Sequence, residues 1–234
     1  MKHGFSAVFK QGAVGAWPIC LGYIPIGLAF GVLAQKAGLT PLETGMMSVL
    51  VFAGSAQFIA VSMIDAGASA VAIVLTTFVV NLRHFLMSSA LAVPLRGTSA
   101  KKLVLFSYGV TDESFAVNMN RFNTGGWDVD RSLVVNHVAN AVWVVSTVAG
   151  GFSGRFIPDG AFGIDYALIA MFICLLVFQV RGGIYVLTAV ISGVAAIGLS
   201  LVIPGNLYVV IASILAATAG VFIKKKLTKG MDRG

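Results

Sequence analysis

Eight apolar runs take up nearly all of this 234-residue chain, at 17–35, 42–64, 68–93, 103–120, 133–150, 161–180, 184–203 and 206–223. Only short connections separate them. Runs of this length suit a bilayer, whose hydrocarbon core takes about 20 residues of helix to cross. Inside lipid every backbone N–H and C=O must be satisfied by the chain itself, so only helices or a closed barrel can span. The runs are continuous and rich in Leu, Val, Ala and Gly, without the alternation of barrel strands. The expected fold is therefore all-α, a polytopic membrane helical bundle of seven or eight transmembrane segments. Composition agrees: 58% of residues are hydrophobic and 11% are charged, against about 25% charged in soluble domains. One transmembrane domain is expected over 17–223, between a cytoplasmic N-terminal stretch, 1–16, and a basic cytoplasmic tail, 224–234.

The formal charge of +7 does not point to nucleic acid, because no basic face with interleaved aromatics is present. Lys224, Lys225, Lys226 and Lys229 instead cluster directly after an apolar run, which is the positive-inside pattern. Lys2 and Lys10 place the N-terminus on the same side. Eight full crossings would then leave Arg96, Lys101 and Lys102 on the wrong side. The conflict is relieved if one early segment does not cross fully, and "VFAGSAQFIAV" (51–61) is the natural place for a broken or re-entrant helix. The count stays at seven or eight. The run 17–35 is too long for a signal-peptide core. Cys20 and Cys174 read as buried thiols. No Cys/His spacing suggests a metal, and no cofactor is implied.

The informative residues are the polar ones at membrane depth. A charge at the centre of a membrane helix costs about 2.5–3.5 kcal/mol on insertion scales, so it persists where it faces a cavity or a partner. Asn81, Arg83 and His84 lie in the third run, Asp112 and Glu113 near the middle of the fourth, and Asn136, His137 and Asn140 in the fifth. Helical spacing gathers them into stripes. Thr77, Asn81, His84 and Ser88 form one; Ser107, Thr111, Ser114 and Asn118 a second; Asn136, Asn140, Trp143 and Thr147 a third. Thr44, Ser48, Ser55 and Ser62 form a looser fourth. Such stripes face one another, as interhelical hydrogen bonds or around a wet cavity.

Asp112 and Glu113 are adjacent and point about 100° apart on a helix, so they cannot share one partner. Arg83 can neutralise one. The other, desolvated and without a fixed cation, is a candidate proton carrier. Tyr108 is expected at i−4 beside Asp112. In the first run Pro18 and Pro25 stand among Gly22, Gly27 and Gly31. That pattern fits a kinked packing helix or a broken helix along a substrate path.

Three stretches, "SVLVFAGSAQF" (48–58), "NLRHFLMSSALA" (81–92) and "GVTDESFAV" (109–117), stand in an order and at spacings that resemble the AzlC-like family, the large subunit of bacterial branched-chain amino acid exporters. The resemblance extends over essentially the whole chain and is strongest in the first 120 residues. It implies a secondary exporter of leucine, isoleucine, valine and sometimes methionine in the bacterial inner membrane. It also implies a small membrane subunit of about four segments as partner. A higher oligomer is compatible with this.

A zwitterionic amino acid has three features to recognise. Its carboxylate suits backbone N–H groups at a broken helix end, for which Gly54 and Ser55 are suited, with Gln57 and Asn81 as further polar contacts. Its ammonium suits Asp112 or Glu113. Its side chain suits apolar walls such as Phe52, Phe58 and Phe115. Arg83 would hold one carboxylate and His84 could relay a proton. Pro25, Tyr108, Asn136 and Asn140 are secondary candidates. The rivals are a passive pore, which needs charge rings or aligned carbonyls, and a membrane-embedded enzyme, for which His84, His137 and Asp112 lack metal-ligand spacing.

Overall fold

"TPLE" opens the first of several short helices by a reciprocal cap. The Glu43 N–H donates to Thr40 Oγ1 at 3.2 Å, and Glu43 Oε2 accepts the Thr40 N–H at 2.8 Å. Two orphan donors of a helix start are thereby satisfied. The computed structural model describes residues 5–158 and 183–202, with scattered positions among 163–177 and 211–223. The tail 224–234 and Cys174 lie outside the described residues, as does most of the runs 161–180 and 206–223. Among the described residues there is helix and no strand.

The chain divides into two compact units, Met1–Ile169 and Ala170–Gly234. The first contains α1 (Phe5–Lys36), α2 (Pro41–Leu50), α3 (Gly54–Asp65), α4 (Ala70–Leu91), α5 (Ala100–Tyr108), α6 (Asp112–Thr124) and α7 (Val129–Ser153). In the second unit the helix Gly183–Ser200 carries no charged residue and none of its residues is buried. A Cβ on Gly220 would lie 2.7 Å from Thr188 Oγ1, so that helix is closely approached from 218–223.

Among the described residues four helices are long and apolar enough to cross a membrane: Phe5–Lys36, Ala70–Leu91, Val129–Phe156 and Gly183–Ser200. The other four in the first unit are 9 to 13 residues long. At 1.5 Å per residue each spans on the order of 15–20 Å, well short of a ~30 Å core. Two of the expected continuous runs are therefore broken. The run 42–64 opens at 51–53, where the break was expected. The run 103–120 opens at 109–111, which hydropathy does not reveal. Asp112 and Glu113 consequently sit in the first turn of α6, not in mid-helix. Tyr108 ends α5 and does not share a helix with Asp112.

The scaffold for both breaks is the pairing of α1 with α7, the most extensive contact in the first unit. Small residues allow it. A Cβ on Gly31 would run into the Thr147 carbonyl, and one on Gly12 would lie 2.5 Å from Val134 Cβ. Without side chains between them the two backbones pack directly, as small residues permit in membrane helices. Pro18 and Pro25 lie within α1, which continues through both, so the broken-helix alternative for that segment does not hold. On α4 only Leu91 is buried. Val71, Val74, Phe78, Phe85 and Leu86 are exposed, an apolar surface of a kind that soluble monomers rarely carry and that lipid accommodates.

Candidate functional site

At the first break α2 ends and α3 begins without a side-chain cap, since the N-cap position is Ala53. Between them Phe52 holds φ at 40°, a left-handed conformation that is strained for a bulky residue and persists only where its surroundings impose it. Those surroundings are aromatic. Phe52 is buried, with its ring 6.5 Å from Tyr23 and 6.2 Å from Tyr108. Gln57 ties the two half-helices together. Its amide donates to Ser48 Oγ at 3.1 Å, and its carbonyl accepts the Trp143 indole N–H at 3.0 Å. Ser48 in turn shares a 2.8 Å hydrogen bond with Thr147. Gln57 is fully buried. Its side-chain amide, expected as a polar contact for substrate, is hydrogen-bonded to α2 and α7. A Cβ on Gly54 would lie 3.3 Å from the Trp143 ring, a tight contact that glycine avoids.

The second break is built differently, and α7 clamps it too. Thr111 caps α6: its hydroxyl accepts the Ser114 N–H at 3.3 Å, and Ser114 Oγ accepts the Thr111 N–H at 2.9 Å. Asn136 donates to the Phe106 carbonyl at 3.0 Å, which also accepts the Gly109 N–H at 3.1 Å, and Asn136 accepts from Asn118 at 2.9 Å. Trp127 donates to Asn118 at 3.2 Å. A Cβ on Gly109 would lie 2.5 Å from Asn136 Cβ, so only glycine fits beneath that clamp. The two breaks also touch directly, because the Tyr108 hydroxyl donates to the Val49 carbonyl at 2.6 Å.

The stripe read on the fifth run therefore divides between the breaks. Asn136 holds the second; Trp143 and Thr147 hold the first. Asn140 lies between them on the same face, and its amide nitrogen is buried with no hydrogen-bond partner among the described residues. Asn81 Oδ1 and Arg83 Nε share that condition. Buried polar atoms in this state are uncommon in native structures and ask for a reason.

Arg83 joins the starts of α3 and α6. One guanidinium nitrogen stands 2.8 Å from Asp112 Oδ2 and the other donates to Ser55 Oγ. Glu113 takes a different partner. The Tyr23 hydroxyl, from α1, donates to Glu113 Oε2 at 2.8 Å and lies 2.9 Å from Thr111 Oγ1. The two neighbouring carboxylates thus diverge as the helical angle requires, one to a cation and the other to a neutral hydrogen-bond donor. His84 is partly buried, within electrostatic reach of Arg83 and Glu113.

Other expected residues are placed as follows. Phe58 packs inside, its ring 5.1 Å from Phe30. Phe115 packs against Leu91, Leu95, Phe106 and Val110. Both brace the half-helices they belong to. Pro25 is exposed on α1. His137 is exposed and bonds the Leu133 carbonyl of its own helix. Tyr23 was missed by sequence reasoning. Its one signal is the stripe Tyr23, Gly27, Phe30, Ala34 on α1, every member of which is buried.

Short half-helices that meet at breaks within an apolar bundle define a polytopic membrane protein with a polar site at membrane depth. The profile of the AzlC protein family matches residues 18–157, and the chain belongs to that family, whose members include a branched-chain amino acid transport component. It is 30% identical to the inner membrane protein YgaZ of Escherichia coli over 83% of each chain. It is 28% identical to the branched-chain amino acid transport protein AzlC of Bacillus subtilis, over 74% of this chain and 68% of that one. It is 30% identical to a membrane protein of Archaeoglobus fulgidus, over 84% of this chain and 86% of that one. No solved structure matches. The chain is a multi-pass membrane protein of a transport family.

Proposed function

We propose that this chain is the large subunit of a secondary-active exporter. It moves branched-chain and related hydrophobic amino acids, such as leucine, isoleucine, valine and methionine, outward across the bacterial inner membrane. The proton gradient drives it, a small membrane subunit of about four segments completes it, and its C-terminus is cytoplasmic.

One observation carries the reading: a single arginine joins the first turns of two half-helices, while the neighbouring Glu113 has no ion-pair partner among the described residues. The uncapped start of α3 presents backbone N–H groups at the positive end of a helix dipole, which suits the substrate carboxylate. The partnerless donors Arg83 Nε and Asn140 Nδ2 have the same preference. Glu113 suits either the substrate ammonium or a proton, and exchange of the two on one carboxylate is the simplest antiport arrangement. Tyr108 and Phe52 offer an aromatic flank for a branched side chain. The name of the B. subtilis relative supports the substrate class.

The test is efflux of labelled valine, leucine and methionine from cells expressing the chain, with and without a candidate small subunit. Efflux that depends on the chain and collapses when the pH gradient is dissipated is the expected result. No efflux in either background would sink the exporter reading.

A further inference from the structure

We infer that Tyr23 is a positioning residue for transport: its hydroxyl donates to Glu113 while its ring braces the break in the other half-helix pair, so loading of Glu113 is linked to the arrangement of residues 51–53. The inference rests on the exporter reading of the site.

Tyr23 is 7% exposed and belongs to α1, yet it touches both breaks. On one side its hydroxyl donates to Glu113 Oε2 at 2.8 Å in the first turn of α6. On the other its ring lies 5.1 Å from Trp143 and 6.5 Å from Phe52, both edge-on. Trp143 in turn holds the Gln57 carbonyl at 3.0 Å, and Gln57 holds Ser48. A phenol has one proton to give. While Glu113 is ionised, that proton goes to its carboxylate. When a proton from solution adds to Glu113, the new carboxylic acid is itself a donor, and the Tyr23 hydroxyl must turn or accept. The other oxygen in reach is Thr111 Oγ1, which already accepts the Ser114 N–H. A substrate ammonium docking on Glu113 competes for the same lone pairs. Either event changes what Tyr23 does with its hydroxyl. Its ring cannot shift without disturbing Phe52, whose φ of 40° is held by that packing.

The charged and titratable groups around Glu113 are few. Asp112 precedes it on α6, Tyr23 faces it from α1, and Arg83 and His84 approach from α4. Arg83 is engaged by Asp112 and Ser55. His84 feels the charge of Glu113 through space, whereas Tyr23 is hydrogen-bonded to that carboxylate directly.

The experiment is valine efflux from proteoliposomes holding the full chain and its small subunit, measured across pH for wild type, Tyr23→Phe, Glu113→Gln and the double variant. Tyr23 gives Glu113 a hydrogen bond that phenylalanine cannot, so Tyr23→Phe should displace the midpoint of the pH profile. Glu113→Gln should flatten the profile, and the double variant should match it. An unchanged midpoint with a uniformly lowered rate in Tyr23→Phe would overturn the inference, because packing alone predicts that result. A flat wild-type profile would instead remove proton coupling from the exporter reading, and this inference with it. Should Tyr23→Phe not fold, infrared difference spectra of the wild type decide. The protonated-carboxyl band that Glu113→Gln abolishes and a tyrosine ring mode should change with one midpoint. A tyrosine mode that stays constant across it overturns the proposal.

Discussion

Arg83 stands 2.8 Å from Asp112 and with its second nitrogen donates to Ser55, so one planar fork joins the starts of α3 and α6. Both ionic side chains are about three-quarters buried. At that depth neither charge is tolerable alone, whereas the pair with its extra hydrogen bond is.

Arg83→Leu or Asp112→Leu should each destabilise the protein by about 3 kcal/mol, because each strands a charge in a low-dielectric site. The double Leu variant should recover much of that stability and none of the transport. Thermal melts in detergent, paired with efflux, check both halves. Arg83→Lys should fold yet transport poorly, since an ammonium cannot span Asp112 and Ser55 in the fixed geometry of a guanidinium.

Gln57→Leu should cost about 2 kcal/mol, because it leaves the buried Trp143 indole N–H unsatisfied and releases Ser48. The indole loses its polar acceptor, so Trp143 emission should shift to the blue. Unchanged emission together with wild-type stability would show that Gln57 does not clamp the break.

Phe52→Gly sets two effects against each other. Glycine relieves the left-handed conformation, worth on the order of 1 kcal/mol. It also deletes a buried ring, at about 3–5 kcal/mol. The ring should win, leaving a net loss of roughly 2–4 kcal/mol in a chemical or thermal melt. A stabilised Phe52→Gly protein would mean that the ring is poorly packed.

Gly31→Val should separate α1 from α7, because a side chain there collides with backbone, which cannot move aside as a flexible side chain can. Overpacking of this kind costs typically 1–3 kcal/mol. Gly22→Val serves as the control, since a Cβ there meets nothing within 4 Å. Equal melting temperatures for the two variants would contradict direct backbone packing.

The first break was legible because Gly54, Ser55 and Gln57 interrupt an apolar run, and because a charge-topology conflict pointed to the same segment. The second was not, although its signals are present in the chain. Gly109 stands just past the end of α5, Thr111 and Ser114 sit at cap spacing, and Asp112 and Glu113 follow in what becomes a first turn, where acids are favoured. Hydropathy averages across them, since Val110, Phe115 and Val117 keep the run apolar. The expected stripe Ser107–Asn118 came from assuming one continuous helix, and the break divides it.

By itself the sequence determined the solvent, the helical class and the family. All of these follow from local composition, because lipid penalises every unsatisfied polar group wherever the chain later goes. The partners were decided only by the tertiary structure. Arg83 takes Asp112 and leaves Glu113 to Tyr23, Gln57 spends its amide on Ser48 and Trp143, and a single helix, α7, clamps both breaks. A linear pattern states that a buried donor needs an acceptor. Which acceptor it meets depends on which glycines let α1 and α7 approach, and that is settled in three dimensions.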